Sequence, residues 1–76
     1  MSIEKHRKNI DQIDKEIIEV LGKRADFVKE IGKFKKDQNI PFYKPEREAE
    51  IFNKIDEFKD SKFPKKALKA IYREII

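Results

Sequence analysis

The stretch Ile3–Lys36, IEKHRKNIDQIDKEIIEVLGKRADFVKEIGKFKK, decides the fold. Its apolar residues Ile3, Ile10, Ile13, Ile17, Val20, Leu21, Phe27, Val28 and Ile31 recur by threes and fours. At ~100° per residue they fill one arc of an α-helix. Cations interrupt that arc. Arg24 falls near its middle, Lys35 lands within about 20° of Arg24 three turns further on, and Arg7 sits at the edge. A cation in an apolar seam is unfavourable unless an anion meets it, either a carboxylate of the protein or a bound ligand. We read the seam as one that receives a bound anion, with a structural ion pair as the alternative.

Working outward, Ser2 is placed to cap this helix through its hydroxyl, although Lys5 does not complete a capping box. About 34 residues at 1.5 Å each make a rod of roughly 50 Å. A compact globule of this chain length has a radius of gyration of only about 11 Å. Such a rod cannot bury its seam against the short remainder of its own chain, so the reading calls for a second copy. Gly22 and Gly32 each cost about 1 kcal/mol relative to Ala. They are explained either by a close approach of backbone or ligand, or as ordinary helix glycines.

Asp37-Gln38-Asn39 ends the rod with polar residues of low helix propensity, and Ile40-Pro41-Phe42-Tyr43-Lys44-Pro45 forms a connector. Each proline biases its predecessor towards extended geometry. A second helix is predicted over about Pro45–Phe58, opened by Pro45 and favoured electrostatically by Glu46 and Glu48. Its stripe is Ile51, Phe52, Ile55 and Phe58, with Glu48 inside the stripe and Arg47 at its margin. After a connector over Asp60–Phe63, Pro64 suits the first turn of a third helix bearing Ala67, Leu68, Ile71, Tyr72, Ile75 and Ile76. That pattern is still running at Ile76, so residues 1–76 read as one domain cut inside its third helix.

The composition agrees with an all-α chain. Charged residues make up 45% of the 76 positions, there are two glycines and no tryptophan, and no strand pattern is present. The absence of cysteine removes disulfides and thiolate metal sites. No apolar run approaches membrane-spanning length and no signal-peptide pattern opens the chain, so a cytoplasmic protein is expected. The net charge of +4 does not make a nucleic-acid footprint. Acids and bases alternate at i,i+4 along the first helix, as in Asp11 with Lys15 and Glu19 with Lys23. Lys59, Lys62, Lys65, Lys66 and Lys69 surround a loop and lack interleaved aromatics on one face. His6 is the lone histidine and receives no role. No Ser/His/Asp set, metal-ligand cluster or glycine-rich phosphate loop appears.

What remains is Arg7, Arg24, Lys35 and Glu48, with Arg47 beside them: cations and one carboxylate suited to a small dianion bearing a hydroxyl. Arg24 and Lys35 lie about 16 Å apart along the axis, within reach of one ligand from both ends. Arg7 is about 25 Å from Arg24, too far to share that ligand within one chain. Two long helices packed antiparallel about a two-fold axis would bring Arg7 of one copy towards Arg24 and Lys35 of the other. Taken singly, Arg7 also fits a snorkelling seam-edge residue, and Arg24 and the Glu48–Lys35 pair also fit structural ion pairs.

The run Arg7-x-x-Ile10-Asp11-x-Ile13-Asp14, then Arg24, Ile31-Gly32-x-x-Lys35 and Pro45-Glu46-Arg47-Glu48 resembles the all-helical (AroQ-class, type II) chorismate mutases across nearly the whole chain. The resemblance implies an intertwined antiparallel homodimer of three-helix protomers, one helix long and two short. It implies conversion of chorismate to prephenate, an intramolecular Claisen rearrangement in phenylalanine and tyrosine biosynthesis, without a cofactor. It further implies that Arg24 and the partner copy's Arg7 bind the two carboxylates. Lys35 would donate to the ether oxygen and Glu48 would take the ring hydroxyl. Lys44 would contribute through its backbone, and Arg47 would support the polar network. Such domains also occur fused to prephenate dehydratase, prephenate dehydrogenase or a first-step shikimate synthase.

Two departures stand out. Lys44 replaces an Asp common in the family. A polar pair further along the family's third helix, typically Ser and Gln, would fall beyond Ile76. Two other readings share these features: isochorismate-pyruvate lyase, against which Glu48 speaks, and a non-catalytic helical dimerisation or regulatory module.

Overall fold

The computed structural model describes residues 2–41, 45–58 and 62–76. Three helices account for them: α1 (Ile3–Asp37), α2 (Pro45–Glu57) and α3 (Lys65–Ile75). No strand occurs among the described residues. The expected connector residues Phe42, Tyr43 and Lys44, and Lys59, Asp60 and Ser61 in the second connector, lie outside the described residues. The chain divides into two units, Met1–Phe42 and Tyr43–Ile76, each taken by itself.

In the first unit α1 runs unbroken for 35 residues. Ser2 caps it in extended geometry, its hydroxyl accepting from the Lys5 N–H at 3.2 Å. Glu4 in the first turn and Lys35 and Lys36 in the last complement the helix dipole. The solvent-side ion pairs differ from those expected. Lys15 turns forward to Glu19 at 4.0 Å rather than back to Asp11, and Lys33 meets Glu30 at 3.6 Å. Glutamate has one more methylene than aspartate, which favours the forward partner, and each exposed pair contributes only about 0.2–0.5 kcal/mol. A side chain built at Gly22 would meet nothing within 4 Å among the described residues.

The polar triplet after the helix closes it in a defined way. Gln38 is the C-cap. Asn39 takes φ 54°, with its N–H bonded to the Lys36 carbonyl at 3.3 Å, and the Ile40 N–H bonds the Lys35 carbonyl at 2.8 Å. These two bonds form a Schellman motif, which satisfies carbonyls that the helix leaves without partners.

In the second unit α2 packs on α3. Ile55, 5% exposed, is the buried centre among the described residues. Ile51 and Phe52 of α2 and Ala67, Leu68, Tyr72 and Ile75 of α3 are half-buried around it. Asp56 links the two helices twice: its carboxylate meets the Lys69 ammonium at 2.8 Å, and its carbonyl accepts from Lys65 at 2.6 Å. The Arg73 guanidinium sits 5.8 Å from the centre of the Phe52 ring, a cation–π contact.

Two expectations need correction. Phe58 does not belong to the buried stripe. It follows the last residue of α2, where its N–H bonds back to the Ile55 carbonyl at 3.2 Å, and it is 63% exposed. Pro64 stands one residue before α3 rather than in its first turn, with ψ 132° and its carbonyl accepting the Leu68 N–H at 3.0 Å.

Candidate functional site

The continuity of α1 makes the angular arithmetic physical. Arg24 and Lys35 share one face about 16 Å apart, and Arg7 lies about 25 Å from Arg24 towards the N-terminus. Exposure along this face is inverted relative to chemistry. Arg24 and Lys35 are half-buried, whereas Val28 and Ile31 between them are 51% and 54% exposed. Gly32, between the two cations in sequence, is the one other half-buried residue of α1. Arg7 is exposed.

Within the first unit, neither Arg7, Arg24 nor Lys35 is neutralised by a carboxylate of α1: the ion pairs there join Lys15 to Glu19 and Lys33 to Glu30. Among the described residues of the first unit, these three cations therefore carry no ion pair. In the second unit, Glu48 stands in the first turn of α2. It is half-buried on the face that carries Ile51, Phe52 and Ile55, as its place within the stripe led one to expect. The carboxylate has no ion-pair partner on α2 or α3 among the described residues. Arg47 is bound along its own helix, with Nη1 donating to Glu50 Oε2 at 3.1 Å, both side chains being mostly exposed. Lys44 lies outside the described residues.

Chemically, the α1 face taken by itself offers two hydrogen-bonding cations at a spacing two long side chains can bridge, which suits an anionic ligand. In its own unit, α2 carries an acceptor carboxylate at Glu48. The predicted basic patch is partly committed to structure instead, since Lys65 and Lys69 hold Asp56. Sequence reasoning missed Asp56 because its partners lie 9 and 13 residues away across a connector, outside any helical spacing. It also missed the conformation of Asn39, for which the signal was present: asparagine directly after a helix tolerates left-handed backbone.

Comparison with known proteins shows the family. A bifunctional chorismate mutase/prephenate dehydratase from Aquifex aeolicus (strain VF5) is 50% identical over 74 residues, covering 92% of this chain and 20% of that protein. A chorismate mutase from Methanocaldococcus jannaschii is 37% identical over 49 residues, covering 64% of this chain and 50% of that protein. The solved structure of chorismate mutase (form I) from Thermus thermophilus superposes with a TM-score of 0.90 at 30% identity, over 96% of this chain and 91% of that one. The chain spans about one-fifth of the length of the bifunctional relatives it matches. The family described as chorismate mutase type II matches residues 6–76, nearly the whole sequence. With its three helices and its cation-bearing α1, the chain belongs to the type II chorismate mutase family.

Proposed function

We propose that the chain is a chorismate mutase that works as an antiparallel homodimer, each site drawing on both copies. The observation that supports the reading is the inverted exposure of α1: Arg24 and Lys35, half-buried and without an ion pair on their own helix, among exposed apolar residues. Arg7, about 25 Å from Arg24 in its own helix, reaches that region only from a second copy running the other way.

The reaction breaks the ether C–O bond and forms a C–C bond within one molecule, so no proton or electron is exchanged with the protein overall. Catalysis then reduces to geometry and charge. Arg24 and the second copy's Arg7 fix the two carboxylates, holding the enolpyruvyl arm over the ring in the reacting conformation. Lys35 donates to the ether oxygen, where negative charge grows as the bond breaks. Glu48 accepts from the ring hydroxyl, Lys44 contributes through its backbone, and Arg47 exchanges or shares Glu50 to support the polar network.

Incubation with chorismate tests this directly. Loss of its ultraviolet absorbance with formation of prephenate is expected. An inert protein, dimeric and folded, would leave the dimerisation-module reading in place. Release of pyruvate from isochorismate but no change in chorismate would favour the lyase. Fusion to a prephenate dehydratase, the arrangement named for the bifunctional relatives, is tested by reading the gene past the Ile76 codon. No helix among the described residues is long and apolar enough to cross a membrane.

A further inference from the structure

The last turn of α1 is fastened at the residue proposed to face the ether oxygen. The Lys35 carbonyl is the third from the end of the helix, one of four that a helix leaves without partners. It accepts the Ile40 N–H at 2.8 Å. That bond exists only because Asn39 turns the chain back at φ 54°, the left-handed region. The Asn39 N–H closes the smaller ring onto Lys36 at 3.3 Å, and Ile40 is half-buried beyond the turn. Glycine is the usual residue at this point and asparagine the usual substitute, whereas a β-branched side chain is strained there.

We infer that Asn39 is a positioning residue for Lys35. The inference rests on the reading of Lys35 as the ether-oxygen donor. A lysine ammonium sits at the end of a flexible four-carbon stem, so its aim depends on where the backbone starts it. A donor must come within about 2.7–3.1 Å of the developing oxyanion to act. Terminal helical turns fray unless tied, and the tie here is the Schellman pair that Asn39 makes possible. Residue 39 therefore holds the Lys35 Cα in the helical register in which the ammonium shares a face with Arg24.

The test compares wild type, Asn39→Gly, Asn39→Ala and Asn39→Val by steady-state kinetics on chorismate, with helix content and association state measured for each. Asn39→Gly keeps the left-handed turn and is expected within about twofold of wild type. Asn39→Val is expected to lower kcat roughly 10- to 100-fold, the scale of a misplaced catalytic group. Its KM, set by the carboxylate-binding arginines, is expected to change by less than about threefold. Asn39→Ala falls between, and serves if the valine variant does not fold. Ser2→Ala, which loosens the opposite end of the same helix, controls for general destabilisation and is expected to keep kcat. Unchanged kcat in the valine and alanine variants, a change confined to KM, equal losses in Asn39→Gly and Asn39→Val, or an equal loss in Ser2→Ala would each overturn the inference. Failure of the underlying reading looks different: the wild type itself would not turn over chorismate.

Discussion

Ile17 and Ile18 are adjacent, chemically identical and point about 100° apart on α1. Ile17 belongs to the seam and is 51% exposed in the single chain, while Ile18 lies outside it at 69%. Ile17→Lys and Ile18→Lys therefore differ in one respect, the face they alter. Complete burial of an isoleucine side chain is worth about 1.5–3 kcal/mol. With half of that still available at Ile17, covering it by a second copy contributes about 1 kcal/mol per chain and about 2 per dimer. In the antiparallel arrangement the axis crosses α1 close to its middle, so the two Ile17 side chains lie near one another. Two ammonium groups about 8 Å apart there repel by about 2 kcal/mol at an effective dielectric constant of 20. Ile17→Lys is thus expected to weaken the dimer by about 4 kcal/mol, on the order of 10³-fold in Kd. Ile18→Lys should stay within about 0.5 kcal/mol of wild type, as surface substitutions do. Sedimentation equilibrium over a range of protein concentrations reads both, with helix content followed by circular dichroism, because a protomer that loses its partner is expected to unfold. Equal dissociation constants for the two variants would refute the assignment of the seam as the interface.

Lys35→Ala should lower kcat by about 10²–10³, the cost of removing one oxyanion donor, while sedimentation and circular dichroism remain those of the wild type; near-normal turnover would remove Lys35 from the mechanism. Arg7→Ala and Arg24→Ala, each inactive alone, should regain activity on mixing, since a hybrid dimer holds one site with both arginines; demonstrated subunit exchange without recovery would argue against shared sites. Gly22→Ala should raise stability by about 1 kcal/mol, read as a Tm increase of about 4–8 °C, with kcat unchanged, because nothing lies within 4 Å of the added methyl group. A loss of stability would mean that something in the assembled protein approaches that glycine.

The elements were legible because their signals are local. Ser2 before an apolar period and Pro45 before another announce helix starts at the positions found. The placement of Arg24, Lys35 and Glu48 on their faces was legible for the same reason, since angular position depends only on helical geometry. What escaped was set by tertiary or terminal geometry. Phe58 fits the apolar period of α2 but comes one residue too late to share its buried face. Asp56 reads as one acid among many until α3 returns to present Lys65 and Lys69 to it. Lys15 had acids on both sides at equal spacing, and only rotamer reach separates them. Asn39 was visible as a poor helix former, and the signal for its left-handed turn, an asparagine directly after a helix, went unused.

The face of α1 asks two things of the same side chains. Burying Ile13, Ile17, Val20 and Ile31 against a second copy favours association, while carrying Arg24 and Lys35 into that interface opposes it, because desolvating a cation without an anion costs several kcal/mol. A dianion resolves the conflict. In the proposed shared site it enters only where two chains meet, so on that proposal it binds the dimer and not the protomer, and it stabilises association by mass action. At a concentration 100 times its Kd, one ligand contributes about 2.7 kcal/mol. The dissociation constant of the dimer should fall accordingly when prephenate, the dianionic product, is added at saturating level and compared with chloride at equal ionic strength. Arg24→Ala should lose the effect while remaining dimeric. Were prephenate and chloride to leave the same dissociation constant in the wild type, the cations would not be meeting their anion between chains, and a site contained within one protomer would have to replace the shared one.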